Sequence, residues 1–253
     1  MLLGCCVDAE HLSHVAESGF DFAELRVEST LPMEKEDVWQ RERKRLLSCN
    51  VPIPSFNVLL PRGMHVVGPN VALAELRTYL DTVFYRMAEL GGRHISFGSG
   101  AARNVPEHFE RQQAKAQLVD FIGLLASIAE PYSIQVNIEF LNRKETNIIL
   151  SLKEANEYAK QINKTSVKIL ADLYHIMEEE EPLADLYQVR EHLGYVHVAD
   201  SGRLYPGSGS YPYHEYFKIL REIGYDGPVS VECRWGNIRE EMKAAARFLR
   251  QFV

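Results

Sequence analysis

What most constrains this chain is an alternation that runs its whole length. Short β-branched or aromatic runs, bounded by Gly, Pro, Asn or Asp, take turns with stretches of helical period. The strand-like runs are Met1–Val7, Phe22–Val27, Ile53–Leu59, His94–Gly98, Ile134–Phe140, Val167–Leu173, Tyr195–Ala199 and Val229–Cys233. The helical stretches are Ala9–Ser18, Lys35–Cys49, Val71–Leu90, Pro106–Glu130, Leu152–Ile162, Leu183–His192, Tyr213–Ile223 and Ile238–Phe252. Strands that alternate with helices must pair in parallel through right-handed crossovers. Eight such units in 253 residues predict an α/β fold, a closed (β/α)8 TIM barrel. An open doubly wound sheet is the runner-up, but Val7-Asp8-Ala9-Glu10 is no glycine-rich phosphate loop. No Pro/Gly/Ser-rich linker interrupts the pattern, so residues 1–253 are predicted to form a single domain.

Composition narrows the function classes. Hydrophobic residues are 46% and charged residues 25%, too apolar for disorder. Lys plus Arg number 28 against 35 for Asp plus Glu, a net charge of −7, which argues against a protein that grips nucleic acid. Apolar runs are too short to span a membrane. The opening Met1-Leu2-Leu3-Gly4-Cys5-Cys6 lacks a basic region and a full apolar segment, and reads as a strand rather than a signal. The four cysteines lack zinc-type spacing and are expected as reduced thiols in a cytoplasmic protein. Two charge clusters, Arg41–Arg45 and Glu178–Glu181, are expected to be solvated faces.

In a barrel of this kind side chains alternate between interior and helix-facing exterior, and chemistry sits at the C-terminal strand ends. In Ile134-Gln135-Val136-Asn137-Ile138-Glu139 the apolar residues share one face, so Glu139 points inward. The same parity turns Asp172, His197 and Glu232 inward at the ends of the next three strands, at what should be equivalent heights. Each would be costly to bury alone. A divalent cation at their centre would hold three carboxylates and one imidazole together. The donor set favours Mn²⁺ or Mg²⁺, with Co²⁺ or Zn²⁺ as further options.

At these residues the chain resembles the xylose isomerase-like TIM barrels, in particular the sugar phosphate isomerase/epimerase branch that includes the ketose 3-epimerases. The likeness runs from Gly19-Phe20-Asp21-Phe22-Ala23-Glu24-Leu25 to the strand holding Glu232, and includes Phe97-Gly98-Ser99-Gly100-Ala101-Ala102-Arg103-Asn104-Val105-Pro106. The second half carries the specific part. Asp172 and His175 form a D-x-x-H motif, and His197, Asp200, Arg203, Pro206, Gly207 and Gly209 match H-x-x-D-x-x-R-x-x-P-G-x-G. The resemblance implies that Glu139, Asp172, His197 and Glu232 bind one metal ion, and that His175, Arg203 and Glu145 contact substrate. It also implies a catalytic pair, Glu139 and Glu232, acting as acid and base on a carbon beside a metal-bound carbonyl, through an enediolate.

The expected function is therefore that of a metal-dependent sugar or sugar phosphate isomerase/epimerase. A dehydratase or lyase acting on a keto sugar or keto-cyclitol begins with the same proton loss and stays open. A nuclease resembling the apurinic endonucleases fits poorly, because the early strand ends carry Ser55-Phe56-Asn57 and Gly98-Ser99-Gly100 instead of extra histidines. A non-catalytic binding barrel would be expected to lack one of the two glutamates. The partner expected is a small sugar or sugar-derived substrate, with neither nucleic acid nor membrane. A homo-oligomer is common in such barrels, but no interface is legible. Gly98-Ser99-Gly100 reads equally as a phosphate-binding turn and as a tight βα turn, and Trp235 as a pocket wall or as packing for the last helix.

Overall fold

The computed structural model describes residues 1–253. In chain order its elements are β1 (Leu2–Val7), α1 (Leu12–Ser18), β2 (Phe22–Arg26), α2 (Glu36–Leu47), β3 (Ser55–Asn57), α3 (Leu73–Glu89), β4 (His94–Phe97), α4 (Gly100–Arg103) and α5 (Arg111–Ala129). There follow β5 (Gln135–Glu139), α6 (Leu152–Ile162), β6 (Val167–Asp172), α7 (Leu173–Glu178), α8 (Leu186–Val189), β7 (Leu193–Val198), α9 (Tyr213–Glu222), β8 (Pro228–Val231) and α10 (Ile238–Leu249). The strands lie in sequence order around a closed parallel barrel, with β8 pairing back onto β1. The alternation thus folds as expected. No helix is long and apolar enough to cross a membrane.

Local signals account for the element ends. Helix α1 stops at Gly19, whose φ of 89° lies in the left-handed region that glycine enters freely. Helix α6 opens with a Ser-x-x-Glu cap. Ser151 accepts from the Glu154 N–H at 3.1 Å, while the Glu154 carboxylate accepts from the Leu150 N–H at 2.8 Å.

Parity then sorts the side chains. Leu3, Cys5, Val136, Ile138, Val167, Ile169, Val196, Val198, Val229 and Val231 face the helices and join a core cluster of 69 buried residues. Removing that apolar surface from water supplies the main stabilisation, at about 25 cal/mol per Å². The opposite strand faces are largely polar. Inside the barrel the apolar cluster is only Phe22, Leu170 and Tyr195. Gly4 makes room for it, since a Cβ there would lie 2.1 Å from the Phe22 ring.

Two expectations change. The strand expected over Val167–Leu173 ends one residue earlier, and His175 sits on α7, which Asp172 caps by accepting from the Tyr174 N–H at 2.8 Å. The acidic run Glu178–Glu181 is not simply solvated. Glu178 meets Lys144 at 2.7 Å, Glu179 accepts from the Arg143 N–H at 2.7 Å, and Glu181 accepts from the Leu152 N–H at 3.0 Å. These bonds tie the loop after β5 and the start of α6 to the segment leaving α7.

Candidate metal centre and active site

The four inward residues expected to meet do meet. Glu139 and Asp172 end β5 and β6, His197 lies in β7 and Glu232 just beyond β8; one ligand atom from each falls within 4.8 Å of the others. They do not share one row, however. Register sets Asp172 opposite His197, but Glu139 opposite Leu170 and Ser230 opposite His197. The tilt and stagger of barrel strands bring them to one point despite unequal heights.

Three atoms at that point have no hydrogen-bond partner although they are buried: Glu139 Oε1, Asp172 Oδ2 and His197 Nδ1. Orphaned buried lone pairs are rare because each costs free energy. Their convergence, in a set of carboxylate oxygens plus one imidazole nitrogen, fits a divalent cation. His197 Nδ1 stands 3.4 Å from Glu139 and 3.7 Å from Glu232. Burial opposes a charge on this imidazole, but Glu24, Cys6 and Glu232 outweigh it and hold its pKa well above the ordinary value. A proton on His197 and a cation among the carboxylates are therefore alternative counter-charges.

Glu24 was missed in the sequence. It is fully buried on β2 and receives His197 Nε2–H at 3.0 and 3.1 Å to its two oxygens, with the Tyr195 hydroxyl at 2.8 Å. This bond fixes the tautomer and aims Nδ1 at the cluster. The signal was present, since Phe22, Glu24 and Arg26 share the inward parity of β2. Cys6, Glu24 and His197 also form a close group. Because the Glu24 oxygens already bond His197 and Tyr195, that group is the support of the first rather than a second ion site.

The two glutamates differ in surroundings. Burial raises the Glu139 pKa. Burial also acts to raise Glu232, but cationic His197 and Arg203 prevail, helped by hydrogen bonds from Arg203 and from Asn57 Nδ2 at 3.1 Å, and hold it below the usual range. Burial lifts Asp172 to about 7, against the pull of Arg203 and His197.

His175, Arg203 and Glu145 border the same point. His175 Nδ1 accepts from the Asn142 backbone N–H at 3.1 Å, so its proton belongs on Nε2, which is buried, unpartnered and 3.6 Å from Asp172. Burial first, then Arg203 and Arg103, depress its pKa well below normal, so the ring is neutral. Arg203 donates to Glu145 at 3.0 Å and to Glu232, and its guanidinium stacks 4.9 Å from the Tyr174 ring. Its φ of 60° is unusual for a non-glycine residue. Asp200 holds that loop, accepting from the N–H groups of Ser201, Gly207 and Tyr211.

The glycines after β4 act by absence. A Cβ on Gly98 would lie 2.1 Å from Glu139 Oε2, and one on Gly100 would lie 2.6 Å from the Glu145 carbonyl. Both positions are filled by the site's own glutamates, which favours the tight turn over a phosphate cradle. A cavity of about 730 Å³ opens beside Glu232, with Arg203, Asn57, Cys6 and Trp235 also in its walls. Trp235 donates to the Cys6 carbonyl at 3.1 Å, which holds the indole at the rim.

Residues 12–252 match the family described as xylose isomerase-like TIM barrel. A ketose 3-epimerase of Arthrobacter globiformis is 38% identical over 112 residues, 44% of this chain and 39% of that one. A 3-dehydro-D-guloside 4-epimerase of Escherichia coli K12 is 33% identical over 174 residues, 66% of this chain and 65% of that one. The aligned stretches thus span less than two thirds of these relatives. A crystal structure of a D-psicose 3-epimerase in the presence of D-fructose superposes with a TM-score of 0.86, covering 100% of this chain and 99% of that one. At 22% identity that likeness speaks for the fold alone.

Proposed function

This chain belongs to the xylose isomerase-like TIM barrel family, and from that membership we propose that it is a sugar epimerase or isomerase dependent on one divalent cation. The observation that carries the reading is the convergence of Glu139 and Glu232, from β5 and from the end of β8, on one buried point beside Asp172 and His197. Epimerases among the relatives support the substrate class. The four ligand residues suit Mn²⁺ or Mg²⁺ best; when bound, such a cation supplies Lewis-acid polarisation of a carbonyl oxygen.

The chain's own residues divide the proton work. Glu232 takes the proton from the carbon next to the carbonyl, because Arg203 and Asn57 favour its ionised form. Glu139 reaches the same carbon from another strand, and its burial favours the protonated form that returns a proton to the opposite face. His175, neutral with its proton on Nε2, donates to a substrate oxygen that gains negative charge. Arg203 and Glu145 orient substrate hydroxyls at the rim. Residues 1–253 act as one domain in this reading, and the four free thiols support a reducing compartment such as the cytoplasm.

Proton NMR in D₂O tests the scheme, with the Mn²⁺-loaded enzyme and a panel of free ketohexoses and 3-keto glycosides. Wild type is expected to place deuterium on a carbon adjacent to the carbonyl. Glu139→Gln and Glu232→Gln should keep the circular-dichroism spectrum and lose about 10²–10⁴-fold in rate. Wild-type-like exchange in either variant, or none by wild type across the panel, would overturn the reading.

A further inference from the structure

A second cavity, of about 740 Å³, lies beside the first, between the segments that follow β2, β3 and β4. Its walls carry an apolar patch where loops are usually polar, with Leu31, Pro32, Met33, Val58 and Leu60 set among charged Arg26, Glu28, Glu34 and Arg62. Met33 is 76% exposed and Val58 38%. The two cavities adjoin, because Arg26 and Val58 belong to the walls of both. Nothing in the proton-transfer scheme uses this cleft.

The cleft is nevertheless built with care. Leu31 and Val58 both have left-handed backbones, φ 48° and 49°. For a β-branched residue such as Val58 that conformation is a strained outlier, of the kind that clusters at ligand-binding positions. Buried Arg86 pins the β2 side by donating to the carbonyls of Thr30, Leu31 and Glu34. The β3 side is pinned by Tyr79 donating to the Leu59 carbonyl at 2.9 Å and by the Leu60 N–H donating to Ser99 at 3.2 Å. Strain and buried hydrogen bonds thus hold apolar side chains open to solvent. A preformed cleft with an apolar patch and a few charged groups around it is what a small-molecule subsite looks like, and its volume is in the usual range.

Building on the sugar-epimerase reading, we propose that this cleft is an aglycone subsite: the substrate is a keto sugar glycoside whose ring lies over Glu139 and Glu232 and whose apolar substituent lies against Met33, Val58 and Leu60. Arg26, at the junction, offers N–H donors to the oxygens that link the two parts.

The test compares phenyl and methyl glycosides of one 3-keto-glucopyranose in the D₂O assay. The phenyl compound should have a kcat/KM about tenfold or more above the methyl compound, the gain expected from burying an aromatic ring. Met33→Asp, on an exposed side chain that the fold does not need, should bring that ratio close to one with the methyl rate little changed. Equal kcat/KM for the two glycosides, or an equal loss for both in Met33→Asp, would overturn the subsite. Cleft occupancy is read independently from ¹³C-methyl methionine spectra, in which the Met33 signal should move with unreacted phenyl glucoside and not with methyl glucoside. If Met33 responds but no keto sugar exchanges, the subsite stands and the epimerase reading fails. A Met33 shift that tracks protein concentration, with dimers in sedimentation, would assign the cleft to a second copy and overturn the proposal.

Discussion

Exchanging Glu24 for Gln removes one negative charge from behind the metal cluster while keeping shape and acceptor. The Gln carbonyl can still receive His197 Nε2–H, now 3.0–3.1 Å from the two carboxylate oxygens. A hydrogen bond to a charged group contributes about 1.5–3 kcal/mol and a neutral one about 0.5–1.5 kcal/mol, so roughly 1–1.5 kcal/mol of support for the ligand is lost. That equals about a tenfold weaker cation affinity, at the lower edge of the 10–100-fold typical for groups that orient a metal ligand. Tyr195 keeps its bond to Ser55 at 2.7 Å, so thermal stability should fall by no more than about 1 kcal/mol. Calorimetric titration with Mn²⁺ at fixed pH gives the affinity, and a melt of the metal-free protein gives the stability. The affinity gap should narrow at lower pH, because Glu24 strengthens proton binding at His197 along with cation binding. An unchanged Kd with an unchanged melt would refute the idea that Glu24 aims His197 at the ion.

Gly98→Ala should cost at least about 100-fold in turnover with the barrel intact, since the new methyl occupies the position of Glu139 Oε2 and displaces the carboxylate by an ångström or more; near-normal rates in a folded variant would show that the glutamate has slack. His94 supplies a pH test away from the site. Burial depresses its pKa to about 4, so the folded state binds fewer protons than the unfolded state between pH 4 and the ordinary value of 6.5. Its contribution is complete above pH 6.5 and is lost as pH falls toward 4, so urea midpoints should drop over that window and drop less in His94→Gln.

Much of this could be read from the residue order, and the remainder fails for identifiable reasons. Period-two alternation orients Glu139, Asp172, His197 and Glu232 because the valines and isoleucines between them have only the helices to pack against. It says nothing of stagger, which depends on how strands tilt to close a barrel, so equal heights were expected where the registers differ. The helix at Leu173–Glu178 escaped because six residues are too few to display a period; the sign of it was Asp172, an N-cap residue as well as a ligand. Glu24 escaped for another reason. A lone acidic residue in an early strand has no visible partner until His197, 173 positions away, is folded against it.

The cage of helices outside and the hydrogen-bonded lining inside divide two duties that most proteins entangle. With 69 residues packed outside the staves and a plug of three within, abundance in the cell should depend on one parity of each strand and turnover on the other. A saturation library scored both ways should therefore yield two combs offset by one residue. The lumen of the cylinder is the surface on which new chemistry can be rewritten at little structural risk.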